Sequence, residues 1–204
     1  MTLPNRMTPF GVPEAHPARG MFMGNRGCLV DQEGRIVRRW RGERWLTCRL
    51  EFRGRRRHPL MVPGRYTELF FLDEVTALAA GHRPCAECRR DELETFRAAW
   101  LENYPDDAPS LTFIDRRLHE ERTTFPTWPA TSESLPDGSM IAIDGTPWLV
   151  LGDGIVARSH EGYTVCRARP SGGVRVLTPR AIVRTLARGW RPHVHSSAWS
   201  LPGR

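Results

Sequence analysis

Lysine is missing from all 204 positions, so each of the 30 basic side chains is an arginine. Its absence excludes a Walker-type phosphate lysine and an internal lysine Schiff base. No apolar run approaches the ~18 residues that a membrane span requires. The first twenty residues also lack the apolar core of an export signal, so the expected setting is cytoplasmic, with no membrane partner. Five cysteines, an odd number without an export signal, argue against a disulfide scaffold and leave metal binding or buried thiols.

What is present begins with uneven charge. Residues 35–57 hold ten arginines against two acids, Glu43 and Glu51, a surplus that alone exceeds the chain's net charge of +7. Arginine forks match phosphate oxygens in pairs and stack on bases, and Trp40 and Trp45 interleave the run in RRWRGERW. The run therefore points to nucleic acid, with backbone contacts expected from Arg39, Arg41, Arg44, Arg55, Arg56 and Arg57 and stacking from Trp40 or Trp45. A solvated, aggregation-resistant sheet edge would also carry such a run.

Residues 1–27 are rich in proline and glycine and read as an extended arm. A hairpin is expected next, turning at Asp31–Gly34 between Leu29/Val30 and Ile36/Val37. From Trp45 to Arg53 the residues alternate, which predicts a half-buried strand with Leu46, Cys48, Leu50 and Phe52 inward. RYTELFFL reads as a further strand, and Asp73 as the cap of a short helix stopped by Gly81. A longer helix is expected from about Cys85 to Tyr104. PDDAPS then reads as a linker, LTFIDRRLHEER as a helix and TTFPTWPATSES as irregular chain.

Three Asp-Gly pairs, at Asp137, Asp144 and Asp153, punctuate a predicted antiparallel meander. A last helix should start with Thr178 as cap and Pro179 at its first position. The resulting expectation is an α+β fold: a zinc-stapled sheet with helices at 1–104, a linker with a short helix at 105–135, and a β-rich module ending in a helix at 136–204.

Cys85 and Cys88 form C-x-x-C, a spacing that brings two sulfurs onto one side of a turn. A thioredoxin-like motif would follow a strand, whereas a helix and Gly81 precede this one, so metal is favoured over redox chemistry. A structural zinc takes four ligands, and Cys28, Cys48, His58 and His82 are the candidates for the remaining two. Cys28 with Cys48 fits best, His58 standing next in line, while Cys166 reads as a buried thiol within YTVCRA.

The tract DEVTALAAGHRPCAEC, Asp73 to Cys88, resembles the second half of the zinc module of the Ada adaptive-response DNA repair family. The resemblance implies a small sheet and helices around a zinc held by cysteines, binding DNA, with Cys85 and Cys88 at the second cysteine pair. In Ada a zinc-held cysteine accepts a methyl group from backbone phosphotriesters. The family's first pair is C-x-x-x-C, and here Phe52 stands four residues after Cys48.

The expected function is a zinc-dependent protein acting on DNA in repair or a related transaction. One alternative is a zinc enzyme, either a thiolate alkyl acceptor using Cys48 or Cys28, or a deaminase or hydrolase; Glu68 is a candidate general base on its strand. His193 and His195 offer a further possible metal pair. Another alternative is an interaction protein whose basic stretch binds an acidic partner.

Overall fold

In the computed structural model residues 2–107 and 110–201 are described. Ala108 and Pro109 of the expected linker, and the outermost residues of the first and last expected modules, lie outside them. The first half contains strands β1 (Arg6–Met7), β2 (Pro13–Glu14), β3 (Phe22–Asn25), β4 (Leu46–Cys48), β5 (Glu51–Phe52), β6 (Arg55–Arg56) and β7 (Leu69–Phe71). Helix α1 (Glu74–Ala79), strand β8 (Arg83–Pro84) and helices α2 (Arg90–Leu101) and α3 (Leu111–Thr124) follow. The second half contains β9 (Trp128–Thr131), β10 (Met140–Ile143), β11 (Thr146–Leu151), β12 (Gly154–Arg158), β13 (Tyr163–Ala168), β14 (Gly173–Val176) and helix α4 (Arg180–Ala187).

This is the expected α+β fold, built on two six-stranded sheets and a separate β5–β6 hairpin. The first sheet runs β2-β1-β7-β3-β4-β8, with β1–β7 and β4–β8 parallel. The second runs β13-β12-β11-β10-β14-β9 and is antiparallel throughout. Among the described residues no helix is long and apolar enough to cross a membrane.

Several local expectations hold for the physical reasons that suggested them. Asp73 accepts from the Thr76 amide at 3.0 Å and caps α1, and Gly81 ends that segment in the left-handed region at φ 81°. Val30 bridges Ile36 across the turn at Asp31. Asp144 and Gly145 both take positive φ, which a tight two-residue hairpin between β10 and β11 demands.

Other expectations give way to tertiary contacts. The proline-rich arm is not free chain: β1 pairs with β7, and the β1–β2 hairpin is pinned to the second half by Arg158 donating to the Met7 carbonyl and His160 meeting Glu14. The residues expected to be irregular after α3 form β9, an edge strand on β14. Thr178 does not cap α4, because its hydroxyl accepts from the Met140 amide at 2.9 Å; Glu121 on α3 accepts from the Ala181 amide instead.

The packing also runs across the expected module boundary. Leu78 of α1, Phe96 and Trp100 of α2, Leu118 of α3 and Ile182 and Leu186 of α4 share one apolar cluster. Val75 and Ala79 of α1 pack with Met140, Leu149 and Val156 of the second sheet. All six residues of α1 are buried, so this short helix is the common centre of the two halves.

Candidate metal centre and the arginine surface around it

The sequence reading of Trp45 to Arg53 as one strand with even-numbered residues inward is corrected in both length and phase. Pairing stops after Cys48, and Arg53 and Gly54, both with positive φ, turn the chain into the β5–β6 hairpin. Trp45 and Thr47 are the buried residues, while Cys48 is half-buried and Leu50 is exposed. The cause is the close approach of β3: a Cβ on Gly24 would lie 2.2 Å from the Leu46 carbonyl oxygen, so only glycine admits β4 at this distance.

β4 lies parallel to β8 with Thr47 opposite Pro84, and the Cys85 amide donates to the Thr47 carbonyl at 3.0 Å. This register brings Cys48 beside Cys85. Proline is tolerated there because β8 is an edge strand and needs no ladder donor at that residue. Cys85 and Cys88 do not sit on a helix, as expected from sequence, but in the turn before α2, whose first residue is Arg90. That turn closes through the Arg89 amide donating to the Cys85 carbonyl at 3.1 Å.

The Sγ atoms of Cys48, Cys85 and Cys88 lie within 4.8 Å of one another, a group that can hold a metal ion. Backbone amides aim at two of them: Glu87 N–H at Cys85 Sγ and Arg49 N–H at Cys88 Sγ, both at 3.4 Å. Hydrogen bonds from the neighbouring thiols and from these turn amides hold Cys85 well below the usual thiol range. Cys48 is pushed far up by its bonds to Cys85 and Cys88, since a second negative sulfur is resisted once the first is formed. A divalent cation removes that conflict, because it favours every sulfur as thiolate.

The surroundings hold this turn firmly. Arg89, next to Cys88, is fully buried against Glu74 at 2.6 Å and lies over the Phe22 ring at 4.6 Å. Arg49 meets Glu92 and Arg55 meets Glu87, each at 3.3 Å, so the basic hairpin and strand end are tied to the cysteine turn. Glu87 and Arg49 were not singled out from the sequence; the position of Glu87 inside the C-x-x-C was the available signal.

The other expected ligands are elsewhere. Cys28 is no part of the cluster: its Sγ faces the Val30 carbonyl oxygen at 3.7 Å, because β3 runs antiparallel to β4, from Met23 opposite Cys48 to Asn25 opposite Leu46, and so leads the chain toward Cys28 away from the other sulfurs. His58 is exposed on a loop, and His82 is fully buried between the rings of Trp45 and Phe71, pushed well below its ordinary value by burial and the nearby Arg26 and Arg122. Glu68 is not presented to the cluster as a base; it accepts from the Met61 amide at 2.8 Å and pins the loop that carries His58. Among the described residues His193 and His195 join no group of three or more metal-binding side chains; the His195 ring bonds Ser197, and the two backbone amides donate to Glu74 and Asp73.

Of the arginine run, Arg39, Arg41, Arg44, Arg55, Arg56 and Arg57 are exposed, as phosphate contacts require. Trp40 is partly exposed, but Trp45 is corrected as a stacking residue. It is 4 % exposed and lies under the guanidinia of Arg26 and Arg122, so no base can reach its face. Next to the metal cluster, a cleft of about 600 Å³ opens between Arg6, Arg19, Arg56, Arg57 and His58 over a floor that includes Met23, the strand partner of Cys48. No carboxylate is among the residues that line it. Arg57 also lies over Tyr66 at 4.7 Å, and burial pushes the Tyr66 hydroxyl up despite that arginine.

Comparison of the chain with protein-family models, characterised proteins and solved structures finds no match to any of them.

Proposed function

We propose that the chain is a zinc-thiolate protein that binds nucleic acid, DNA foremost, and acts in repair or a related DNA transaction. The observation that carries this reading is the convergence of Cys48, Cys85 and Cys88 within 4.8 Å. Amide donors at 3.4 Å from two of the sulfurs suit thiolates that share a cation. Sulfur ligands favour zinc among the divalent ions that prefer tetrahedral geometry. The likeness of Asp73 to Cys88 to the Ada zinc module supports the same ion, with Cys48 as the single sulfur of the first pair and Phe52 in the place of the other. The carboxylate-free cleft, which exposed Arg56 and Arg57 help to line, supplies the attraction for phosphate.

Two measurements test the reading together. The purified protein should hold one zinc by elemental analysis, and Cys48→Ser, Cys85→Ser and Cys88→Ser should each lower it, while Cys28→Ser leaves it unchanged. Binding to duplex DNA should weaken at least roughly tenfold between about 50 and 200 mM salt. Binding that ignores salt, or no binding at all, removes the nucleic-acid half; a zinc-free wild type removes the other.

A second reading, a zinc enzyme, is favoured by one specific feature. Among the described residues no fourth cysteine, histidine or carboxylate joins the three sulfurs. Three protein ligands with a fourth position open to an outside group is the arrangement of catalytic rather than structural zinc. Cobalt(II) substitution separates the two: a visible spectrum that changes on adding a small thiol marks an accessible position, and an inert spectrum marks a closed structural site.

A further inference from the structure

Three arginines, Arg26, Arg83 and Arg89, are among the largest fully buried side chains of the protein. Two of them have carboxylate partners: Arg83 meets Asp115 at 2.7 Å and Arg89 meets Glu74 at 2.6 Å. Arg26 is different. Its hydrogen bonds go to the Gly11 carbonyl at 2.9 Å and the Met7 sulfur at 3.7 Å, and its Nε has no partner. Arg122, reaching in from α3, likewise spends its donors on the carbonyls of Gly81 and Glu43 and on the His119 ring, and its Nε is also unpartnered.

Both guanidinia lie over the Trp45 ring, at 4.7 and 3.8 Å from its centroid. A ring face answers a buried cation far more weakly than an anion does. Burial, with repulsion from Arg39 on Arg26 and from Arg26 and Arg83 on Arg122, pushes the two groups down to about 10 for Arg26 and about 9 for Arg122, although Asp115 and Glu43 offset part of the fall at Arg122. An unanswered buried charge is among the costliest features a fold can carry.

Both residues line one notch, together with exposed Arg39, Phe10 and Gly11 of the N-terminal hairpin, and Phe125. The notch offers about 30 Å³ of space, enough for roughly two or three water-sized atoms, such as the buried oxygens of one tetrahedral anion. We propose that Arg26, Arg39 and Arg122 form a seat for a single oxyanion of the phosphate class, free or as part of a phosphodiester backbone. Guanidinium forks suit such oxygens in geometry and in charge. The seat lies where the N-terminal hairpin, the end of α3 and Pro179 before α4 meet, so the anion also joins parts of the chain that are far apart in sequence. This inference does not depend on the thiolate centre.

Thermal unfolding tests it, at constant ionic strength, with chloride replaced by inorganic phosphate in one arm and a short DNA duplex added in another. Wild type should gain roughly 5–10 °C in Tm as the seat saturates. Arg26→Met and Arg122→Met should lose that gain while keeping their zinc content. Arg39→Gln, a change at an exposed position that leaves the core intact, should reduce it. A gain with inorganic phosphate assigns a free anion, and a gain confined to DNA assigns a backbone phosphate; both uphold the seat. Equal gains in wild type and all three variants, or none in any arm, overturn it.

Discussion

The two sheets solve the same problem with different means. In the second sheet the strands run for four to six residues, pair with neighbours in antiparallel registers broken by one shift between Val156 and Arg158, and bury Leu149, Val150, Ile155 and Val156 on its two faces. In the first sheet the strands are two to four residues long, the order is scrambled relative to the chain, and two of the pairings are parallel. So little ladder leaves the first sheet dependent on links outside its strand pairing: three sulfurs that a cation can join, and arginines buried against carboxylates. The chemistry sits in the half where regular structure is scarce, because loops and strand ends are what bring distant side chains to one point.

The sharpest way to break the comparison is to remove the zinc that the proposed function places on the three sulfurs. Structural zinc sites in small modules bind with about 10–16 kcal/mol at neutral pH, more than any single contact supplies. Chelation, or Cys85→Ser, is expected to expose the amides around Met23, Thr47 and Arg83 to rapid hydrogen exchange, while those around Leu149 and Val156 keep their protection. Equal loss in both sheets would mean that the first has no separate dependence on the metal.

A smaller effect is expected at Glu74, whose carboxylate answers Arg89 at 2.6 Å with both side chains essentially without exposure. Glu74→Gln leaves that guanidinium with the more distant Glu92 at 3.5 Å and should cost about 3 kcal/mol in denaturant unfolding. It should also weaken the metal, since Arg89 closes the turn that carries Cys85 and Cys88. Arg89→Met should also be destabilising, because it leaves the buried Glu74 carboxylate without its cation, answered by the His193 amide at 3.0 Å.

The halves differ in their staples yet share a core, and Ile182→Ala measures the sharing. Ile182 is 0 % exposed on α4, within the cluster that also holds Leu78, Phe96 and Leu118. Its truncation should cost roughly 2–5 kcal/mol. Metal release and loss of the second sheet's circular dichroism should shift to lower denaturant together; a shift in one signal alone would show that the modules unfold independently.

What the sequence made legible follows the same division. The meander was readable because Asp144-Gly145 demands a positive-φ turn whatever surrounds it, and Asp73 could be read as a cap from its place before EVTALAA. The pair Cys85 and Cys88 was visible from spacing and Cys48 was expected beside them; the structure brings these three together and leaves out Cys28. The misplacement of Cys28 and the inverted phase of β4 share an origin in the β3–β4 pairing, in which β4 lies against Gly24 of β3 and β3 runs away from Cys48, a contact between distant segments that no local pattern records. Trp45 illustrates the same limit. Its place in RRWRGERW suggests a stacking surface, but the arginines that cover it come from positions 26 and 122, outside the run.

The smallest expected effect lies in the helical layer that joins the halves, and it is set by pH. Asp107 accepts from Arg117 at 2.9 and 3.0 Å and from the buried Trp100 indole at 2.9 Å. The Arg117 guanidinium, and then the indole donor, hold its carboxyl below the ordinary value of 3.8 in spite of burial. A carboxylate depressed in the folded state contributes stability above its unfolded value, and loses it as pH falls through the folded one. Asp107→Asn should therefore cost about 1–2 kcal/mol near neutrality. The gap between variant and wild type should narrow on acidification below the usual aspartate range, with the thiolate centre affecting both proteins alike. A gap that stays constant down to the acid limit would mean that the Trp100 hydrogen bond, which asparagine keeps, and the packing around it hold this layer, and that the Arg117 charge pair adds nothing.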